Sequence, residues 1–165
     1  MASKTKGIFG SRTRYYREEL AYYQRYHAHP INWLIHTVCV PLEWFSWLVL
    51  VSYLGPGAQW PVAISVGIYH CFTLWQHSFT LAGASALAQV TMAFCADELR
   101  NNYAGARHAW WIAVLVHALS WAGQVLLGHY WIEQNSPGMA NKLTLNSIVL
   151  SVPLAWDSSK LIRQD

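Results

Sequence analysis

The stretch that decides the fold is HAWWIAVLVHALSWAGQVLLGHYWI, residues 108–132, which contains no Asp, Glu, Lys or Arg. A helix needs about 20 mostly apolar residues to cross about 30 Å of hydrocarbon, and this stretch exceeds that length. Residues 44–96 and 143–156 are uncharged as well. The run 44–96 can hold two or three membrane-spanning helices and the run 108–132 one, whereas 143–156 is too short to span.

The composition favours the same class of protein. Hydrophobic residues make up 54% of the 165 residues and charged residues 12%, against roughly 25% charged residues in an average soluble domain. Aromatic residues reach 15%, which is typical of side chains at a membrane–water interface. These values exclude disordered proteins and coiled coils. An unusually apolar soluble helical protein is the alternative, because the mean hydropathy is only +0.17.

The pattern of apolar residues and Gly or Pro breaks predicts six helices. The first is amphipathic and lies on the membrane or against the bundle, and the last is too short to span. Residues 1–10 are expected to be disordered, and residues 11–165 to form a single helical membrane domain. The predicted fold is therefore an all-α multipass bundle with about four crossings, an amphipathic N-terminal helix and a short C-terminal helix. The six helices are expected at residues 11–26, 30–54, 61–76, 78–96, 108–132 and 139–157, with Pro41 kinking or splitting the second.

The distribution of charge predicts the orientation. Six of the eleven Lys and Arg residues lie in the first 25 residues, which favours a cytoplasmic N-terminus. Four crossings, near residues 38–54, 61–77, 79–96 and 108–128, would return the chain to its starting side. Five histidines are then expected to cluster at the cytoplasmic face: His27, His29, His36, His77 and His129.

The first of two histidine-bearing segments is YHAHPINWLIH, residues 26–36. It places His27 on a turn, and it places Asn32 and His36 at i,i+4 on one helix face. Neutral imidazole is the commonest nitrogen ligand for zinc, copper and iron, so the turn and the face could converge on one ion. The alternative is a set of interfacial or helix-capping histidines.

The second segment is WAGQVLLGHYWIEQNSP, residues 121–137. On an α-helix, His129 and Glu133 share a face at i,i+4, and a carboxylate there can bind a metal or orient the imidazole. Trp121 and Gln124 come earlier in the segment and are candidates for shaping a site. A solvated Glu133 with an interfacial His129 is the alternative.

Three further histidines carry weaker expectations. His77 is a candidate fourth ligand, because the predicted topology places it at the same face. His70 and His117 fall near the middle of the membrane, where they are either core histidines or the axial pair of a haem electron carrier. A non-catalytic lipid-binding protein is a third possible class, but it would not explain why His, Asn and Glu residues cluster in the two segments.

The two segments resemble the two signatures of the Mpo1-like family, also called DUF962. The first signature reads roughly H-x-N-P-x-N-x-x-I-H-x-x-x-x-P and the second W-x-x-Q-x-x-G-H-x-x-x-E-x-x-x-P. The resemblance covers about residues 20–157. The matching residues are His27, Pro30, Asn32, Ile35, His36 and Pro41 in the first, and Trp121, Gln124, Gly128, His129, Glu133 and Pro137 in the second.

The resemblance implies a multipass membrane enzyme that uses Fe(II) and O₂ to shorten 2-hydroxy fatty acids by one carbon, in phytosphingosine degradation. It implies the endoplasmic reticulum in a eukaryote and the plasma membrane in a bacterium. Together with the two segments, it leads us to expect His27, His36 and His129 as iron ligands, completed or supported by His77 or Glu133. The residues expected to take part in the chemistry are Glu133, Asn32 and Gln124.

Two positions depart from the family pattern. His29 stands where the family usually has Asn, so no ligand role carries over to it. Asn135 and Ser136 replace a basic pair, which argues against an electrostatic grip on a substrate carboxylate there. The expected partners are the fatty acid, O₂ and membrane lipid. Nucleic acid is not expected, because the few basic residues accompany no binding motif.

Overall fold

The computed structural model describes residues 8–102, 109–142 and 144–157, and these residues form helices and no strand. The predicted all-α class is confirmed. A π-helix, Gly123–Glu133, continues α5 without a break and is called the π segment below. The helices are α1 (Ile8–Tyr26), α2 (Pro30–Ser52), α3 (Gln59–Leu74), α4 (Phe79–Asn102), α5 (Ala109–Ala122), α6 (Leu145–Val149) and α7 (Ser151–Trp156), with a 3₁₀ turn at Gly138–Ala140.

Among the described residues, three helical stretches are long and apolar enough to cross a membrane, namely Pro30–Ser52, Phe79–Asn102 and Trp110–Glu133. They support a membrane protein. α3, which was expected to be a fourth crossing, has only 16 residues. At 1.5 Å per residue it is about 24 Å long, shorter than a hydrocarbon core of about 30 Å.

The long helices pack as antiparallel pairs. α2 lies against α5 and the π segment, so that the start of α2 meets the end of the π segment. α3 lies against α4, where an added Cβ at Gly67 would be 3.6 Å from the Ala86 backbone. The first pair therefore brings the two histidine-bearing segments to one end of the bundle.

α2 begins where the sequence predicts. Pro30 occupies its first turn, and the His29 Nδ1 accepts a hydrogen bond from the Ile31 N–H at 3.2 Å. This caps one of the N–H groups that a helix start leaves unpaired. Pro41 does not split α2, which runs through it from Pro30 to Ser52. A proline removes only one backbone hydrogen-bond donor, and the rest of the helix keeps its bonds.

The two ends of the chain differ from expectation. α1 begins at Ile8, so the last three residues of the expected disordered N-terminus are helical, and residues 1–7 lie outside the described residues. The single helix expected over 139–157 is replaced by a 3₁₀ turn, α6 and α7. Thr144 starts α6 with a reciprocal capping box, and α7 buries Val152 and Ala155 against Val40 of α2.

Candidate metal centre

Three histidines from three different elements converge at the end of the bundle where α2 begins. His27 lies just after α1, His36 in the second turn of α2 and His129 in the π segment. Their ligand atoms all lie within 4.8 Å of one another. The ring centroids are 4.2 Å apart for His27 and His36, 4.8 Å for His27 and His129, and 5.0 Å for His36 and His129.

Backbone carbonyls fix the protonation of two of these rings. The His27 Nδ1 lies 2.8 Å from the Tyr23 carbonyl oxygen, and the His36 Nδ1 lies 3.0 Å from the Asn32 carbonyl oxygen. A carbonyl can only accept, so each Nδ1 carries the proton and each Nε2 keeps its lone pair. Metal-binding histidines are oriented in this way in other proteins.

Two of the ring nitrogens suit a bound cation. The His27 Nε2 and the His129 Nδ1 are buried and have no hydrogen-bond partner within the described part of the chain. Leaving a buried polar atom unpaired costs about 1–3 kcal/mol. A metal ion held by the three imidazoles would satisfy such atoms, and imidazole donors suit iron, zinc, copper and nickel.

Burial keeps His27 in the form that binds a metal. Loss of hydration, together with the neighbouring His36 and His129 rings, lowers the pKa of His27 to about 2. The imidazole is therefore neutral at physiological pH. The Tyr23 ring stacks on it at a centroid distance of 3.7 Å, with 10° between the planes, so the ring is held on its face as well as at Nδ1.

Glu133 holds the turn that carries His27. Its Oε1 accepts hydrogen bonds from the His29 N–H at 2.7 Å and from the Asn32 Nδ2 at 3.3 Å. The Asn32 Nδ2 also donates to the Tyr26 carbonyl at 3.2 Å. Glu133 and Asn32 thus join the end of α1, the start of α2 and the π segment. Glu133 is not in the group of possible metal ligands that the three histidines form.

Gly128 allows the π segment to approach α2. A Cβ built on Gly128 would overlap the Asn32 Oδ1 and would lie 3.3 Å from the Asn32 Cγ and 3.4 Å from the His36 Cε1. Real Cβ atoms do not come so close to a neighbour, so any larger residue would displace Asn32. The glycine is therefore required where the π segment packs against Asn32 and His36 of α2.

Gln124 lies farther along the same interface, away from the three histidines. Its Nε2 donates to the Glu43 Oε2 at 3.0 Å and to the Ser120 carbonyl at 3.2 Å. Glu43 was missed in the sequence. The available signal was its position as the last charged residue before the uncharged run 44–96.

The structure does not bring His77 to the other three histidines. Its Nε2 lies 2.8 Å from the Asp157 Oδ2, which also accepts from the Tyr16 hydroxyl at 3.0 Å. This bond ties the end of α3 to the last described residue and to α1. A ring nitrogen occupied in this way is not presented to a metal at the start of α2.

The two mid-helix histidines have separate partners. The His70 Nε2 lies 2.8 Å from the Val149 carbonyl oxygen, and the His117 Nδ1 lies 3.1 Å from the Ser46 Oγ. His117 also packs edge-on against the Trp47 ring. Neither contact favours a pair of axial haem ligands.

Comparison with known protein families supports the resemblance. A family model described as 2-hydroxy-palmitic acid dioxygenase Mpo1-like matches residues 13–159, which include all three clustered histidines. No curated protein and no solved structure matches the chain.

Proposed function

Because the chain belongs to the Mpo1-like family, we propose that it is an Fe(II)-dependent dioxygenase that shortens 2-hydroxy fatty acids by one carbon. The observation that carries the proposal is the group of three histidines, His36 and His129 buried and His27 half-buried, at one end of a bundle of apolar helices. His27, His36 and His129 would hold the iron. Bound iron(II) would supply the redox chemistry that O₂ requires and a Lewis-acidic centre for the hydroxyl and carboxylate oxygens of the substrate.

The residues of the chain prepare this site before any ligand arrives. The Tyr23 and Asn32 carbonyls hold the Nδ1 protons of His27 and His36, so their Nε2 lone pairs stay available. Glu133 and Asn32 hold the turn after α1 in place. Fixing a reactant in one orientation can supply several kcal/mol of the barrier reduction, so these positioning contacts belong to the proposed mechanism.

The position of the site suits an amphiphilic substrate. The histidines lie near the start of the apolar stretch Pro30–Ser52 and the end of the stretch Trp110–Glu133. A carboxylate and hydroxyl at this level would lie near the membrane surface, while an alkyl chain would extend among apolar side chains. Large apolar residues are exposed on both stretches, among them Leu34 (55%), Val38 (54%) and Leu126 (59%).

The localisation follows the same proposal. The chain would work as a multipass protein of the endoplasmic reticulum in a eukaryote and of the plasma membrane in a bacterium. Its partners would be a 2-hydroxy fatty acid, O₂ and the surrounding lipid.

The test is turnover of 2-hydroxypalmitate by purified protein in detergent, with Fe(II) added anaerobically before O₂. We expect the acid one carbon shorter, detected by mass spectrometry, and O₂ consumption that requires iron. His36→Ala should abolish both, since it removes one of the three imidazoles. The matched control is His77→Ala, which removes a half-buried histidine outside the group. A folded His36→Ala protein with full iron content and full turnover would contradict the proposal.

A further inference from the structure

Glu43 is a charged residue in the middle of an apolar helix. It is the only Asp, Glu, Lys or Arg between Pro30 and Ser52, and Pro30–Ser52 is one of the three stretches that can cross a membrane. Ionisable groups at such positions are costly and are usually retained for function. Its Oε2 accepts a hydrogen bond from the Gln124 Nε2 at 3.0 Å, which joins α2 to the π segment.

The Gln124 amide has two hydrogens, and both are used. One bonds to Glu43 on α2, and the other to the Ser120 carbonyl at 3.2 Å. Ser120 lies three residues before Gly123, where α5 widens into the π segment. The Glu43 carboxylate therefore holds the side chain that spans the junction between the two helix types.

The direction of His129 depends on this junction. An α-helix turns about 100° per residue, so His129, five residues after Gln124, would point about 140° away from it. A π-helix has about 4.4 residues per turn and turns about 82° per residue, which reduces the angle to about 50°. Only in the wider helix do Gln124 and His129 both face α2.

We infer that Glu43 is a positioning residue that acts through Gln124 to fix the start of the π segment, and thereby directs His129 toward His27 and His36. The inference rests on the proposed function only where turnover is measured. The bond between Glu43 and Gln124 is the element that matters, so an uncharged acceptor at position 43 should serve as well as the carboxylate.

The experiment compares Glu43→Leu, which removes the acceptor, with Glu43→Gln, which keeps an oxygen that can accept from Gln124. The chain also contains a matched control pair, since the Gln59 Nε2 donates to the Asp97 Oδ1 at the same distance, 3.0 Å, between α3 and α4. Asp97→Leu therefore breaks a bond of the same length between helices away from the histidines, together with the bond that the Asp97 Oδ1 accepts from the Asn101 Nδ2 within α4 at 3.1 Å.

Two measurements apply to each full-length variant in detergent. The first is hydrogen exchange of peptides covering residues 123–133 in metal-free protein, and the second is kcat and KM for 2-hydroxypalmitate after loading with Fe(II). For Glu43→Leu we expect faster exchange in these peptides and a kcat lower by about 10–100-fold, the usual effect of losing an indirect support of a metal ligand, with little change in KM. Glu43→Gln should restore both, and Asp97→Leu should change neither.

Three results would overturn the inference. One is unchanged exchange over residues 123–133 in Glu43→Leu. Another is a Glu43→Gln protein as impaired as Glu43→Leu, which would assign the role to the charge rather than to the bond. The third is an equal loss in Asp97→Leu, which would indicate general destabilisation. If the wild-type protein shows no turnover, the proposed function fails, while the exchange measurement still decides the inference.

Discussion

Replacing Gly128 by alanine should damage the metal centre through a single methyl group. The added Cβ would overlap the Asn32 Oδ1 and would lie in van der Waals contact with the His36 Cε1 at 3.4 Å. Asn32 is fully buried, so the methyl group cannot be accommodated by moving a flexible surface side chain. Either Asn32 shifts and loses its bonds to Glu133 and Tyr26, or the π segment moves away from α2.

The size of the effect can be estimated from its parts. Inserting a methyl group into a packed core costs about 1–3 kcal/mol. Losing a hydrogen bond to a charged group, such as that from Asn32 to Glu133, costs about 1.5–3 kcal/mol of stability. We therefore expect Gly128→Ala to lower the unfolding free energy by about 2.5–6 kcal/mol if both effects occur. Displacing the Asn32 side chain also loosens the turn that carries His27, so metal affinity should fall about 10–100-fold.

Gly83→Ala is the matched control for this change. Gly83 lies in α4, and a Cβ there would meet nothing within 4 Å. Alanine is favoured over glycine inside a helix by about 0.5–1 kcal/mol, so the control should be neutral or more stable. Thermal unfolding in detergent gives the stability of each variant, and titration of metal-free protein with Fe(II) under anaerobic conditions gives the affinity.

A second variant tests the cause of the damage. Asn32→Ala removes the oxygen that the new methyl group would overlap, so Gly128→Ala should cost much less in an Asn32→Ala background than in the wild type. Contacting residues are expected to show such coupling, whereas independent sites add. If Gly128→Ala matches Gly83→Ala in both unfolding temperature and Fe(II) affinity, the close approach of the π segment to α2 is not a feature of the protein.

Three further outcomes follow from the site. His36→Ala should lose bound iron, and His77→Ala should retain it while becoming less stable, because its bond to Asp157 is lost; metal analysis and thermal unfolding of the two proteins check this. Glu133→Gln should retain more turnover than Glu133→Ala, since the amide oxygen can still accept from the turn after α1, and an equal loss of bound iron in both would indicate a ligand instead. Protein expressed with haem available should show no Soret band, and a band lost on replacing His70 or His117 would restore the haem alternative.

The bundle was predictable because its signals are carried by composition. Uncharged runs of more than about 20 residues are long enough to span a membrane, and they can be recognised without knowledge of any contact. The His29 and Pro30 pair marks the start of α2. The two histidine-bearing segments could also be paired in advance, because helices that cross the bundle in opposite directions bring them to one end.

His77 could not be placed in the same way. Topology alone limits a residue to one end of the bundle, and His77 is at the end of α3, as expected. Where His77 lies within that end of the bundle depends on Asp157, which is 80 positions later in the sequence. The Asp157 Oδ2 lies 2.8 Å from the His77 Nε2. A pairing of this kind has no local signal, and Asp157 follows an uncharged stretch that was predicted only as a packed helix.

The π segment accounts for the remaining difference between sequence and structure. On an α-helix, Gln124 and Glu133 are nine residues and about 900° apart, which places them on opposite faces. At about 82° per residue the difference falls to about 18°, and both residues reach α2, one at Glu43 and the other at the start of the helix. An argument from i,i+4 spacing could relate His129 to Glu133 but could not relate either of them to Gln124. The change in helix type is stabilised by contacts that α2 provides, and for this reason the sequence of residues 121–137 does not predict it when considered alone.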